Sequence, residues 1–187
     1  MHETADEELM SLVRRGDDAA FVLLVSRYKD ELTNFAERFL GDRDDAEDVV
    51  QEAFVRVWRK RESYSAAGRF STWLYTIASN LARTRLKRRA LWKFVRLGGA
   101  DGAAVDIPDD GAASDARADE TLRDERIQKA LVSLPPKFRE IVVLRDIQQL
   151  SYEEITSITG CAMGTVKSRI NRGRALLREQ LRDLTGE

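Results

Sequence analysis

The residues best equipped for chemistry lie near the C-terminus, where Lys167, Ser168, Arg169, Asn171 and Arg172 fall close together, followed by Arg174, Arg178 and Arg182. A guanidinium fork matches guanine O6 and N7 and a carboxamide matches adenine, so this set suits the reading of base edges and phosphates rather than bond-making. Val166, Ile170, Leu177 and Leu181 recur at helical spacing on the other side, predicting a helix from about Thr165 with one basic face. Upstream, Ser151 and Glu154 form a capping-box pair, predicting a short helix with Ile155 and Ile158 inward. Gly160 stops it, because glycine tolerates the positive φ of a helix end. Two helices joined by a short turn, the second cationic, have the layout of a DNA-reading helix-turn-helix. Taken alone, the stretch also fits an ordinary helical hairpin with a solvated basic face.

Other chemistries lack their parts. The sole histidine is His2 and the sole cysteine is Cys161, so neither a zinc site nor a Ser-His or Cys-His pair can be assembled. No glycine-rich phosphate loop is present, and no cofactor or metal is expected. Cys161 reads as a small packed turn residue. With no signal-peptide pattern and no membrane-length apolar run, the sequence reads as cytoplasmic, without membrane insertion.

The elements that would position these residues follow from periodicity and charge. The 187 residues carry a net charge of -1, which hides a strong segregation. Residues 83–96 hold Arg83, Arg85, Lys87, Arg88, Arg89, Lys93 and Arg96 and no acid, whereas 101–120 hold six aspartates and Glu120 against Arg117 alone. A stripe from Phe21 to Leu40 predicts a long helix ended by Gly41. Asp44 or Asp45 would cap a second, lined by Val49, Val50, Ala53, Phe54, Val57 and Trp58. After the loop Ser63 to Gly68, Ser71 or Thr72 would open a third, with Trp73, Leu74 and Ile77 inward and Tyr75 as the exposed aromatic. Residues near 98–118 are too poor in large apolar groups to fold alone and read as a flexible linker. Order resumes near Leu122, and Pro135-Pro136 ends one helix and starts the next. The fold class is all-α: two small helical domains, 1–97 and 122–187, joined by an acidic flexible linker, 98–121.

In this order the segments resemble the extracytoplasmic-function sigma factors of bacteria. Asp45 to Phe54 resembles the family's region 2.2, Phe70 to Asn80 its regions 2.3 and 2.4, and Leu134-Pro135-Pro136 with Leu150 to Ile155 and Gly164 to Arg169 its region 4. The resemblance implies a non-enzymatic initiation factor that brings core RNA polymerase to promoters. Asp48, Gln51, Glu52 and Phe54 would dock the clamp helices of the largest polymerase subunit, with the polymerase flap a further contact. Ser63, Tyr64, Ser65 and Ala66 with Asn80, Arg83, Arg85 and Arg88 would bind the −10 element, the loop pocketing an extruded base and the arginines gripping backbone. Lys167, Ser168, Arg169, Asn171 and Arg172 would read the −35 element. An anti-sigma factor is a further implied partner. The competing readings are a stand-alone helix-turn-helix regulator and, with little to support it, a hydrolase using Asp44, Asp45 and Asp48.

Overall fold

The computed structural model describes residues 4–65, 68–96 and 115–185, with side chains over 4–65, 68–96 and 121–182. Ala66 and most of the acidic segment lie outside the described residues. Helices α1 (Asp6–Arg14), α2 (Asp18–Leu40), α3 (Arg43–Arg59) and α4 (Phe70–Arg96) form the first half, with a 3-10 turn at Arg61–Ser63. The second half comprises α5 (Asp115–Ser133), α6 (Pro136–Val142), α7 (Tyr152–Thr159) and α8 (Met163–Thr185), with a π turn at Val143–Ile147 widening the end of α6. No strand occurs among the described residues.

Local chemistry sets most boundaries. Gly41 ends α2 at φ 74°. Any side chain there would also collide with Val132, whose Cγ2 lies 2.6 Å from the Cβ position. Asp42, rather than Asp44 or Asp45, caps α3: its carboxylate accepts from the Asp45 amide at 2.8 Å. Asp45 is thereby freed to point inward, where it is 7% exposed. The reciprocal capping box of Ser151 and Glu154 starts α7, and Gly160 at φ 69° ends it. Three starts fall earlier than the sequence predicts. α4 begins at Phe70 and α8 at Met163, each within two residues of the expectation. α5 begins at Asp115, so helix replaces the last part of the expected linker. A helical start there was hidden because Leu122, the first large apolar side chain, is 48% exposed and marks no core face.

The two halves share one core. Phe35, Phe39, Phe70 and Leu74 from the first and Leu131, Ile141, Leu144 and Ile155 from the second belong to one contiguous cluster. Tyr75 is the clearest departure from expectation. It is 2% exposed, its ring lies edge-on to Phe35, and its hydroxyl donates to Gln148 Oε1 across the seam at 2.7 Å. Burial drives its phenol pKa well above the ordinary tyrosine range.

Arg139 bolts the seam. Only 6% exposed, it donates to the carbonyl of Phe39 at 2.8 Å, to that of Leu134 at 3.0 Å, and to that of Val132. These oxygens lie at or next to the C-terminal ends of α2 and α5, where carbonyls lack helical partners and a cation opposes the dipole. Burial lowers the pKa of this guanidinium to about 10, so it remains charged at neutral pH. Arg139→Met would keep the volume and strand the three carbonyls. It should lower stability by about 3 kcal/mol or more, read as a fall in the urea midpoint at an unchanged slope.

Candidate polymerase and nucleic-acid interfaces

The packing of α2 on α3 leaves an open apolar groove of about 800 Å³. Its floor is Phe21, Val50, Phe54 and Trp58. The Phe21 ring centroid lies 5.1 Å from that of Trp58 and 6.4 Å from that of Phe54. Arg43, Glu47, Gln51 and Arg59 line its polar side. Of the four residues expected to bind polymerase, Gln51 and Phe54 line this groove. Phe54 does so from the core, at 7% exposure. Asp48 instead braces α3 to α4, 2.9 Å from Arg85 Nη2. Glu52 pairs with Arg56 one turn along its own helix at 2.8 Å. Phe21 and Val55 also line the groove; periodicity marks Phe21 as a core residue, and only the packing shows that it opens on a groove.

On α4, helical spacing splits the basic run into two faces. Asn80, Thr84, Lys87 and Arg88 are exposed along the outer one. The inner arginines are held. Arg85 Nε donates to Asp45 Oδ1 at 2.6 Å, which raises the guanidinium's already high pKa. Arg89 reaches Asp42 at 2.7 Å and Asp45 at 2.5 Å. Arg83 turns toward the second half. Before α4, Ser63 ends the 3-10 turn, its hydroxyl donating to the Lys60 carbonyl at 2.7 Å, and Ser65 is exposed. Tyr64, expected on the DNA face, is 5% exposed. Its ring lies 5.2 Å from Trp73 and its hydroxyl donates to the Gly68 carbonyl at 3.0 Å. It braces the loop from beneath and offers no face for stacking in this arrangement.

The helix-turn-helix forms as its caps predict. Val166 and Ile170 are buried against Ile155 and Ile158. Gly173 permits the close approach of α8 to α6: an added Cβ would sit 2.6 Å from Val142 Cγ2. Lys167, Ser168, Asn171 and Arg172 share the exposed face of α8. Lys167 Nζ lies 5.9 Å from the centre of the Tyr152 ring and Arg172 Cζ 5.9 Å from that of Phe138. Arg169 is half-buried and donates from Nη1 to Cys161 Sγ at 3.2 Å, so it sits apart from the other four. Arg174 is paired with Asp146, Nε donating at 3.0 Å.

Comparison with known proteins gives this geometry its family. Residues 24–91 match the model of Sigma-70 region 2, and residues 124–177 match Sigma-70, region 4. The chain is 39% identical over 176 residues to the ECF RNA polymerase sigma factor SigW of Bacillus subtilis (strain 168), covering 92% of this chain and 94% of the relative. Among solved structures it is similar to CnrH in complex with the cytosolic domain of CnrY, with a TM-score of 0.71, 28% identity, and 95% of this chain and 97% of that one covered. It is also similar to the sigma factor RpoE in complex with the anti-sigma factor NepR from Bartonella quintana, with a TM-score of 0.68, 28% identity, and 87% and 96% covered. The chain belongs to the extracytoplasmic-function sigma factors of the sigma-70 family. It acts in promoter-directed transcription initiation and is not an enzyme.

Proposed function

We propose that the α2–α3 groove is the docking site for the clamp helices of the largest polymerase subunit, with the flap a second contact for the helix-turn-helix half. The supporting observation is an apolar groove that reaches solvent at Phe21, Val55 and Trp58 and is flanked by charges of both signs. It offers buried area at its centre and charge complementarity at its margin, the anatomy of a specific interface. The −10 element is read by the loop from Ser63 through Ala66 together with Asn80 and Arg88, and Arg83 and Arg85 contribute backbone contacts. The −35 element is read from α8 by Lys167, Ser168, Asn171 and Arg172, with Arg169 joining when its side chain swings out. The working units are 1–97 and 122–187, connected by the acidic segment 98–121. An anti-sigma factor restrains the protein, in keeping with the complexes in which CnrH and RpoE were solved. It works in the cytoplasm; among the described residues no helix is long and apolar enough to cross a membrane.

The test is transcription in vitro with core polymerase and a promoter library. Transcripts should depend on the chain and start downstream of sequences sharing a −10 and a −35 element. Equal recognition of those sequences by the chain without core polymerase would favour the stand-alone regulator instead.

A further inference from the structure

The seam between the halves ties up a residue assigned above to promoter DNA. Arg83 of α4 reaches across it: Nε lies 3.1 Å from Glu140 Oε1 of α6, and Nη2 donates to the Ile158 carbonyl of α7 at 3.2 Å. Glu140 is deeply buried, with 8% of its side chain exposed. Burial pushes its carboxyl pKa up, while the charges of Arg83 and Arg169 pull it back. A carboxylate is a poor choice for filling such a space, because an apolar side chain of similar volume would avoid the cost of desolvating a charge. Other contacts close the same seam, among them Tyr75 to Gln148 at 2.7 Å, Arg69 to Glu154 at 3.1 Å, Arg38 to Asp124 at 2.6 Å and Arg139 to the Phe39 carbonyl at 2.8 Å.

We propose that Arg83 and Glu140 form a latch that holds the two DNA-binding halves together, with Glu140 occupying in the closed chain the place a promoter phosphate takes on Arg83 when the molecule opens. The proposal rests on the reading of α4 as the −10 side. Dimensions favour it. Elements separated by about 25 base pairs lie ~85 Å apart along a duplex rising ~3.4 Å per pair. A closed chain of 187 residues has a radius of gyration of about 16 Å. The closed molecule therefore reaches one element at a time, and the halves must part for both to be read. A latch made of a DNA-gripping arginine and an acid couples that parting to DNA: the ligand that needs the open form competes for the group that keeps it closed. The charge on Arg169, which acts on the same carboxylate, links α8 to the same event.

The first arm of the test uses the chain alone, without DNA or polymerase, so its outcome does not depend on the functional reading. Small-angle scattering should give a compact wild type, an expanded Arg83→Glu variant, and a return toward compactness when Glu140→Arg is added to Arg83→Glu. Helicity measured by circular dichroism should stay constant through the series, separating opening from unfolding. A compact Arg83→Glu variant, or a double variant no more compact than the single, overturns the latch. In the second arm, Glu140→Ala should bind a fluorescent single-stranded −10 oligonucleotide more tightly than wild type. The gain should be roughly fivefold or more, the lower range of coupling between linked equilibria. Unchanged or weaker binding overturns the competition between Glu140 and DNA even where the scattering series behaves as expected.

Discussion

Val55→Asp should separate this chain from core polymerase while leaving its helices intact. Val55 lines the α2–α3 groove yet is 37% exposed, so an aspartate there is solvated in the free protein. Once a partner covers the groove, that carboxylate is desolvated over the apolar floor, and Arg59 one turn along α3 offsets only part of the cost. The penalty should be about 3 kcal/mol or more, over a hundredfold in affinity. A titration of labelled core enzyme measures it, with the thermal midpoint of the free variant as the control. An unchanged affinity would move the docking site off this groove. Asp48→Arg should have a smaller effect than Val55→Asp, because Asp48 faces α4 rather than the groove.

Arg172→Ala should cost roughly 1–3 kcal/mol on a cognate −35 element and flatten the preference at one or two base positions. Arg172 stands on the exposed face of α8 beside Asn171 and Ser168, near the end of the helix that enters a groove in a helix-turn-helix. Arg178→Ala, farther along, should lower affinity about equally for every sequence and flatten the salt dependence if it meets phosphate. Holoenzyme binding to single-base −35 variants at several salt concentrations distinguishes the two. Equal weakening of every variant by Arg172→Ala would remove that side chain from base reading.

What could be read from the sequence was what depends on neighbours in the chain. Gly41, Gly160, the Ser151–Glu154 box and Pro135-Pro136 act over a few residues, and the structure places helix ends where they stand. The apolar stripe of α3 came through for the same reason. What escaped was set by residues far away in sequence. Tyr75 looks exposed until Gln148 and Phe35 are brought to it. Asp45 looks like a cap until Asp42 takes that role and Arg85 and Arg89 draw it inward. The basic run of α4 reads as one cationic face, yet folding divides it, because Asp42, Asp45 and Glu140 neutralise its inner arginines and leave Asn80, Lys87 and Arg88 outside. Periodicity reports which positions turn inward on a helix; it carries no information about which acid waits there.

The three tryptophans turn out to sit in three different settings. Trp58 lies against Phe21 in the groove, the two rings tilted by 54°, with the Arg61 guanidinium 4.5 Å from its ring centre. Trp73 is half-buried against Tyr64 and Phe70. Trp92, on the outer end of α4, is 68% exposed. Their emission spectra should therefore differ, with Trp92 contributing the reddest component and the other two the bluer ones. Single-tryptophan versions of the protein would each watch one place: the α2–α3 groove, the packing around Tyr64, or the outer end of α4. The fold thus carries its own optical probes, one in the α2–α3 groove, one packed against Tyr64 and one on the outer end of α4, and no dye needs to be attached to follow them.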